Sequence, residues 1–106
     1  MSNQNPLVSV TVCVRDGIHW IDECLESLVA QTYRPLEIIA IDDGSIDGSK
    51  EKLLTWNDTE SEVSVRIFTQ EAEGLSAGRQ RAVEHANGEW IAITDIDVRP
   101  EPDWIS

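Results

Sequence analysis

Basic residues are scarce in this 106-residue chain: eight Lys and Arg stand against twenty Asp and Glu, a formal net charge of −12. That balance excludes a nucleic-acid binder, which needs a basic footprint. It also means that an anionic ligand such as a nucleotide is repelled unless a cation intervenes. An acid-rich, Lys-poor surface is one device of salt-adapted proteins, and an ordinary soluble acidic domain accounts for it as well.

Long apolar runs are missing too. No stretch of about 18 apolar residues exists to span a membrane, and the N-terminal MSNQNP lacks the basic and apolar regions of a signal peptide. The expectation is a cytoplasmic protein. There are two cysteines, Cys13 and Cys24, on an expected strand and an expected helix, which argues for buried reduced thiols rather than a disulfide or a metal pair. No G-x-G-x-x-G follows the first strand and no G-x-x-x-x-G-K-[ST] occurs, so dinucleotide and ordinary phosphate-loop enzymes are disfavoured. No Ser, Cys or His sits in a recognisable nucleophile motif. Without repeats, low-complexity tracts or linkers, the chain reads as one domain, 1–106, with a single modest core.

What is present alternates between strand and helix. Leu7–Val14 is rich in valine and reads as a first strand. Ile18, Ile21, Cys24, Leu25, Leu28 and Val29 recur at helical spacing over Ile18–Gln31, and Pro35 forbids continuation. Leu36–Ile41 is a second, buried strand, followed by a turn over 44–48 and a weaker helix, Asp47–Trp56, with Leu53 and Leu54 inward. Val63–Phe68 makes a third strand. A helix over Ser76–Ala86 has Leu75, Ala82, Val83 and Ala86 as its stripe and ends at Asn87-Gly88. The fourth strand lies in Glu89–Asp97, an apolar run suited to burial on both faces. This order predicts an α/β fold: a parallel sheet with flanking helices and right-handed crossovers.

In such a sheet, ligands bind beyond the carboxyl ends of the strands. Polar residues gather there: Arg15, Asp16 and Gly17 after strand one, Asp42, Asp43 and Gly44 after strand two, Asp95 and Asp97 after strand four. Where the chain is still extended, Asp95 and Asp97 point to one side, and hard oxygen ligands favour Mg²⁺ or Mn²⁺. Converging acids need a compensating positive group. Arg79, on the expected core-facing stripe of the third helix, is placed to pair with Asp43 or Asp95 or to reach a phosphate. Asp43, Ser45 or Asp47 suits a helix cap, and Asp47 is read as one. His19 and His85 read as exposed helix residues, and the tryptophans as packing or rim residues.

Five segments in order resemble the inverting family 2 glycosyltransferases: V-S-V-T-V near the start, E-C-L-E-S-L-V-A-Q-T-Y, L-E-I-I-A-I-D-D-G-S-x-D-G-S, E-G-L-S-A-G-R and N-G-E-W-I-A-I-T-D-I-D. The resemblance spans Leu7 to Trp104. It implies the GT-A fold, a Rossmann-like half with strand order 3-2-1-4, and a nucleotide-diphospho-sugar donor such as a UDP-sugar. By the resemblance, Asp43 matches the aspartate that bonds uracil. Asp95 and Asp97 match the D-x-D that binds ribose and, through Mn²⁺ or Mg²⁺, the diphosphate, and Arg79 matches the arginine of an A-R-N motif. The chain departs from the family at Cys13, Arg15 and Asp16, which stand where a proline and a Tyr-Asn are usual and are taken as nucleotide-binding with Asp42, and at Gly78-Arg79-Gln80.

The family's catalytic domains are longer, and their second half supplies the acceptor site and the general base that inverting transfer requires. The expectation is therefore the donor-binding, N-terminal half of a truncated GT-A fold, inactive alone, with an open strand-four edge that invites a homo-oligomer. A non-catalytic nucleotide-binding or interaction module is the alternative. A receiver-like signalling domain needs an acid after strand three, where Phe68-Thr69-Gln70 stands instead.

Overall fold

The computed structural model describes residues 5–105. Its elements alternate as β1 (Val8–Val14), α1 (Ile21–Val29), β2 (Leu36–Asp43), α2 (Ser49–Leu54), β3 (Ser64–Gln70), α3 (Leu75–His85) and β4 (Trp90–Asp95). The four strands form one sheet in the order β3-β2-β1-β4, and every pairing is parallel. This is the parallel α/β sheet that the alternation predicted, in the strand order that the resemblance implied. Among the described residues no helix is long and apolar enough to cross a membrane.

The two faces of the sheet follow from the strand period. Val8, Val10, Val12 and Val14 point to one side and pack with Ile21, Leu25 and Leu28 of α1 and Leu53 of α2. Ser9, Thr11 and Cys13 point to the other, under α3, where Cys13, Ile39, Ile41 and Ala82 form a smaller cluster. Both faces of β1 are thus buried. The polar residues on the α3 side are satisfied at the far end of the sheet: the Ser9 hydroxyl donates to Glu37 Oε2 at 2.5 Å, and Asn87 N–H donates to the same oxygen at 2.7 Å.

Several expectations are corrected. β4 is not buried on both faces: Trp90 is 66% and Ile93 53% exposed, because among the described residues β4 pairs with β1 alone and α3 lies over β1 and β2. α1 begins at Ile21 rather than Ile18, since Trp20 N–H bonds Gly17 O at 2.9 Å in a preceding turn. Leu54 faces outward at the last position of a six-residue helix. On α3 the inward residues are Gly78 and Ala82. Leu75 and Val83 are exposed, because the stripe is rotated toward the small residues that let the helix approach β1. Arg79 consequently leaves the core stripe and is exposed. His85 is not a free surface residue, for its ring stacks on Phe68 with centroids 3.8 Å apart.

The thiols of Cys13 and Cys24 are free and buried on opposite sides of the sheet. Burial pushes both up to about 11.

Candidate functional site

The C-terminal ends of β1 and β4 lie side by side, with Cys13 opposite Asp95 in register. α3 closes on them through Gly78. A Cβ there would sit 2.2 Å from Cys13 Sγ, so only glycine allows this approach. The adjacent Arg79 then reaches across to Asp95, its Nη2 3.0 Å from Oδ1. A cleft of about 770 Å³ opens at this edge, lined by Cys13, Arg15, Asp16, Gly17, Trp20, Leu75, Arg79, Asp95, Ile96 and Asp97.

Asp95 is the last residue of β4, and the chain turns after it, with Val98 N–H bonding Asp95 O at 3.1 Å. Asp97 therefore reaches the cleft through a turn and not through the alternation of an extended strand. Both carboxylates are exposed. Among the described residues no three Asp, Glu, His or Cys side chains converge as a ready metal cage. Two hard oxygen donors suit an ion that keeps waters and shares a substrate's phosphates.

The aspartate pair after β2 splits. Asp42 sits on the α1–α2 face, opposite Val14 and Thr69 in register, and does not line the cleft. Its Oδ2 accepts from Ser45 N–H at 3.2 Å, and its buried Oδ1 is without a partner among the described residues. Asp43 is on the α3 side but is fully buried and occupied: Gln70 Nε2 and Glu73 N–H donate to Oδ1 at 2.9 and 2.8 Å, and Gly74 N–H donates to Oδ2 at 3.0 Å. Burial alone would raise this carboxyl. The bonds from Gln70, Glu73 and Gly74, with Arg15 nearby, outweigh it and hold Asp43 below its ordinary range. Asp43 thus fastens the loop between β3 and α3.

A second fastening was not legible from motif or spacing. Asp16, in the left-handed region at φ 53°, accepts from Ile46 N–H at 2.8 Å, while its own N–H donates to Ser45 Oγ at 2.9 Å. Gly17 N–H donates to Ser49 Oγ at 2.9 Å and Ile18 N–H to Asp47 Oδ2 at 3.1 Å. Asp47 also accepts from Ser49 N–H at 2.9 Å and so joins the start of α2 to the β1–α1 loop, but it is not the cap expected of it: the N-cap of α2 is Gly48, in the left-handed region, without a side-chain cap bond. Trp20, Leu75 and Ile96 line the cleft as well. The sequence put Leu75 on a core stripe and the tryptophans at packing or rim positions, with no signal for Ile96; that the three meet in the cleft depends on where the loops fold back.

The family model for glycosyl transferase family 2 matches residues 9–106. EpsH of Bacillus subtilis (strain 168) is 38% identical over 101 residues, which are 95% of this chain and 29% of that protein. Among solved structures, the mannosyltransferase PcManGT from Pyrobaculum calidifontis, in complex with GDP-Man and Mn²⁺, superposes with a TM-score of 0.78 at 30% identity, covering 89% of this chain and 28% of its own. S. aureus TarS in complex with UDP has the same fold, with a TM-score of 0.78 at 24% identity over 91% of this chain and 29% of its own. The chain therefore spans less than a third of the length of each of these proteins.

Proposed function

The chain belongs to glycosyl transferase family 2, and from that premise we propose that the cleft between β1, α3 and β4 receives a nucleotide-diphospho-sugar donor for inverting glycosyl transfer, with UDP-sugars the first class to test. The observation that carries the reading is the convergence of Asp95 and Asp97 with Arg15 and Arg79 in one cleft at the carboxyl edge of the sheet. On a molecule of net charge −12, a diphosphate needs cations beside it, and the two arginines provide them.

Asp95 serves the ribose, and Asp95 with Asp97 holds Mn²⁺ or Mg²⁺. When bound, that ion neutralises the charge developing on the leaving diphosphate. Cys13, Arg15 and Asp16 form the wall toward the base, with the Arg15 guanidinium suited to stack on it. Asp43 fixes the start of α3, the helix that carries Leu75 and Arg79, through the 73–74 backbone and has limited capacity left for a base contact. Asp42 takes no part. The GDP-Man and Mn²⁺ of the mannosyltransferase relative support the ligand class and the metal. The cytoplasmic location expected above belongs to the same proposal.

Calorimetry with UDP tests it. Weak binding is expected with Mn²⁺ and none with EDTA, and equal binding with EDTA would overturn the metal assignment. For the 106 residues alone the expected outcome is binding without sugar transfer.

A further inference from the structure

We propose that Arg79 is a place-holding cation: its guanidinium keeps the Asp95 carboxylate until a nucleotide arrives and then leaves it for the phosphate oxygens, a hand-over that rests on the donor-site reading above. Three observations lead there. Arg79 Nη2 lies 3.0 Å from Asp95 Oδ1 with the two side chains 45% and 62% exposed, and a pair so open to water is weak and exchangeable. Of the two arginines that line the cleft, Arg15 and Arg79, Arg79 is the one paired with Asp95, while Arg81 on the same helix is tied to the frame by a bond to Thr69 O at 2.9 Å. Lastly, Arg79 is brought to the strand end by the contact between Gly78 and Cys13, whose register partner is Asp95. Its Cα is thus fixed while its side chain is free to turn.

The chemistry follows from charge. A divalent ion and a guanidinium compete for the same carboxylate oxygens when no anion is present. Once a diphosphate enters, the guanidinium has a better partner, because its fork of N–H donors matches phosphate oxygens. Metal and nucleotide then bind with positive coupling, each strengthening the other by the same factor. Arg79 is the residue through which that coupling runs, so its removal moves the two partial affinities in opposite directions. A purely structural arginine would not do this.

The test is Mn²⁺ titration followed by electron paramagnetic resonance of the free ion, with and without UDP, on the wild type, Arg79→Gln and Arg79→Lys. Circular dichroism verifies that the exposed substitution leaves the fold intact. Without nucleotide, Arg79→Gln is expected to bind Mn²⁺ about threefold more tightly, the scale of a lost exposed ion pair. With Mn²⁺ present, its UDP affinity is expected to fall about tenfold, the scale of one charge-assisted hydrogen bond. Arg79→Lys, which keeps the charge and loses the fork, should fall between the two in both arms. An unchanged or weaker Mn²⁺ affinity in Arg79→Gln without UDP overturns the hand-over, as does an unchanged UDP affinity with Mn²⁺. A wild type that binds no UDP with Mn²⁺ overturns the donor-site reading, and the hand-over with it. Intact wild-type binding beside an indifferent Arg79→Gln overturns the hand-over alone.

Discussion

Gly78 has no side chain to place between α3 and β1, and the space a Cβ would need is already held by Cys13 Sγ at 2.2 Å. Gly78→Ala should therefore destabilise the fold by about 1–3 kcal/mol through overpacking. Adding Cys13→Ala should recover part of that loss, because the clash is between those two groups. Urea unfolding of the two singles and the double measures the coupling, and simple additivity would disprove the contact as its source. Asp43 is the other residue on which the site leans. Asp43→Ala strands the Gln70 side chain and two backbone N–H groups, so a loss of about 1–3 kcal/mol in stability should accompany any loss of nucleotide affinity. Its carboxyl is held below the ordinary range, so its contribution is full above the unfolded value of 3.8 and disappears as pH falls through the lower folded value. Asp97→Asn keeps shape and removes a charge and an oxygen ligand. It should abolish most of the Mn²⁺ dependence of UDP binding with little change in melting temperature.

The two edge strands of the sheet are finished differently. β3 is covered: Asp58 and Val65 exchange N–H···O bonds at 2.8 and 2.7 Å, and Ile67 N–H is taken by Asn57 Oδ1 at 3.1 Å. Among the described residues β4 has β1 on one side and no strand on the other, and Trp90, Ile91 and Ile93 are exposed along it. Five consecutive uncharged residues, Trp90–Thr94, on a molecule of net charge −12 offer a strip where a second copy meets little repulsion. An open, apolar edge of this kind templates strand pairing. Light scattering at rising concentration should report dimers or larger species, and Ile93→Lys should return the chain to monomers. A wild type that remains monomeric at high concentration would rule the edge out as an interface.

At the scale of the whole molecule, repulsion among twenty acidic and only eight basic residues is a destabilising field that salt screens, with a Debye length near 10 Å at 0.1 M. The melting temperature should rise with KCl from low to molar concentration, and a flat or falling curve would contradict this account. Alkali should act in the opposite sense. Burial raises the Cys13 and Cys24 thiols from their ordinary 9.0 to about 11 in the folded chain. These raised values favour the native state fully below pH 9, and the advantage is lost as pH rises toward 11, on the order of 2 kcal/mol per thiol. A Cys13→Ala, Cys24→Ala double variant should lose that alkaline slope in a pH series of thermal melts.

The alternation of strands and helices, their order and the parallel sheet were determined by the sequence itself, because apolar period and turn residues are local properties. So was the D-x-D at the end of β4, which depends on neighbours a few residues away. What tertiary structure decided was the direction each of these residues faces. Asp42 and Asp43 are adjacent in the chain, yet the strand period sends one beneath α2 and the other beneath α3, and only the loop at 73–74 reveals that Asp43 is spent on backbone amides. Arg79 was placed on a core stripe by helical period with Asp43 or Asp95 as its partner; Gly78 and Ala82 rotate α3 off that stripe, and the folded chain leaves Arg79 exposed beside Asp95. The exposure of β4 likewise depends on which strands lie beside it, since an apolar run has the same composition at the centre of a sheet and at its edge.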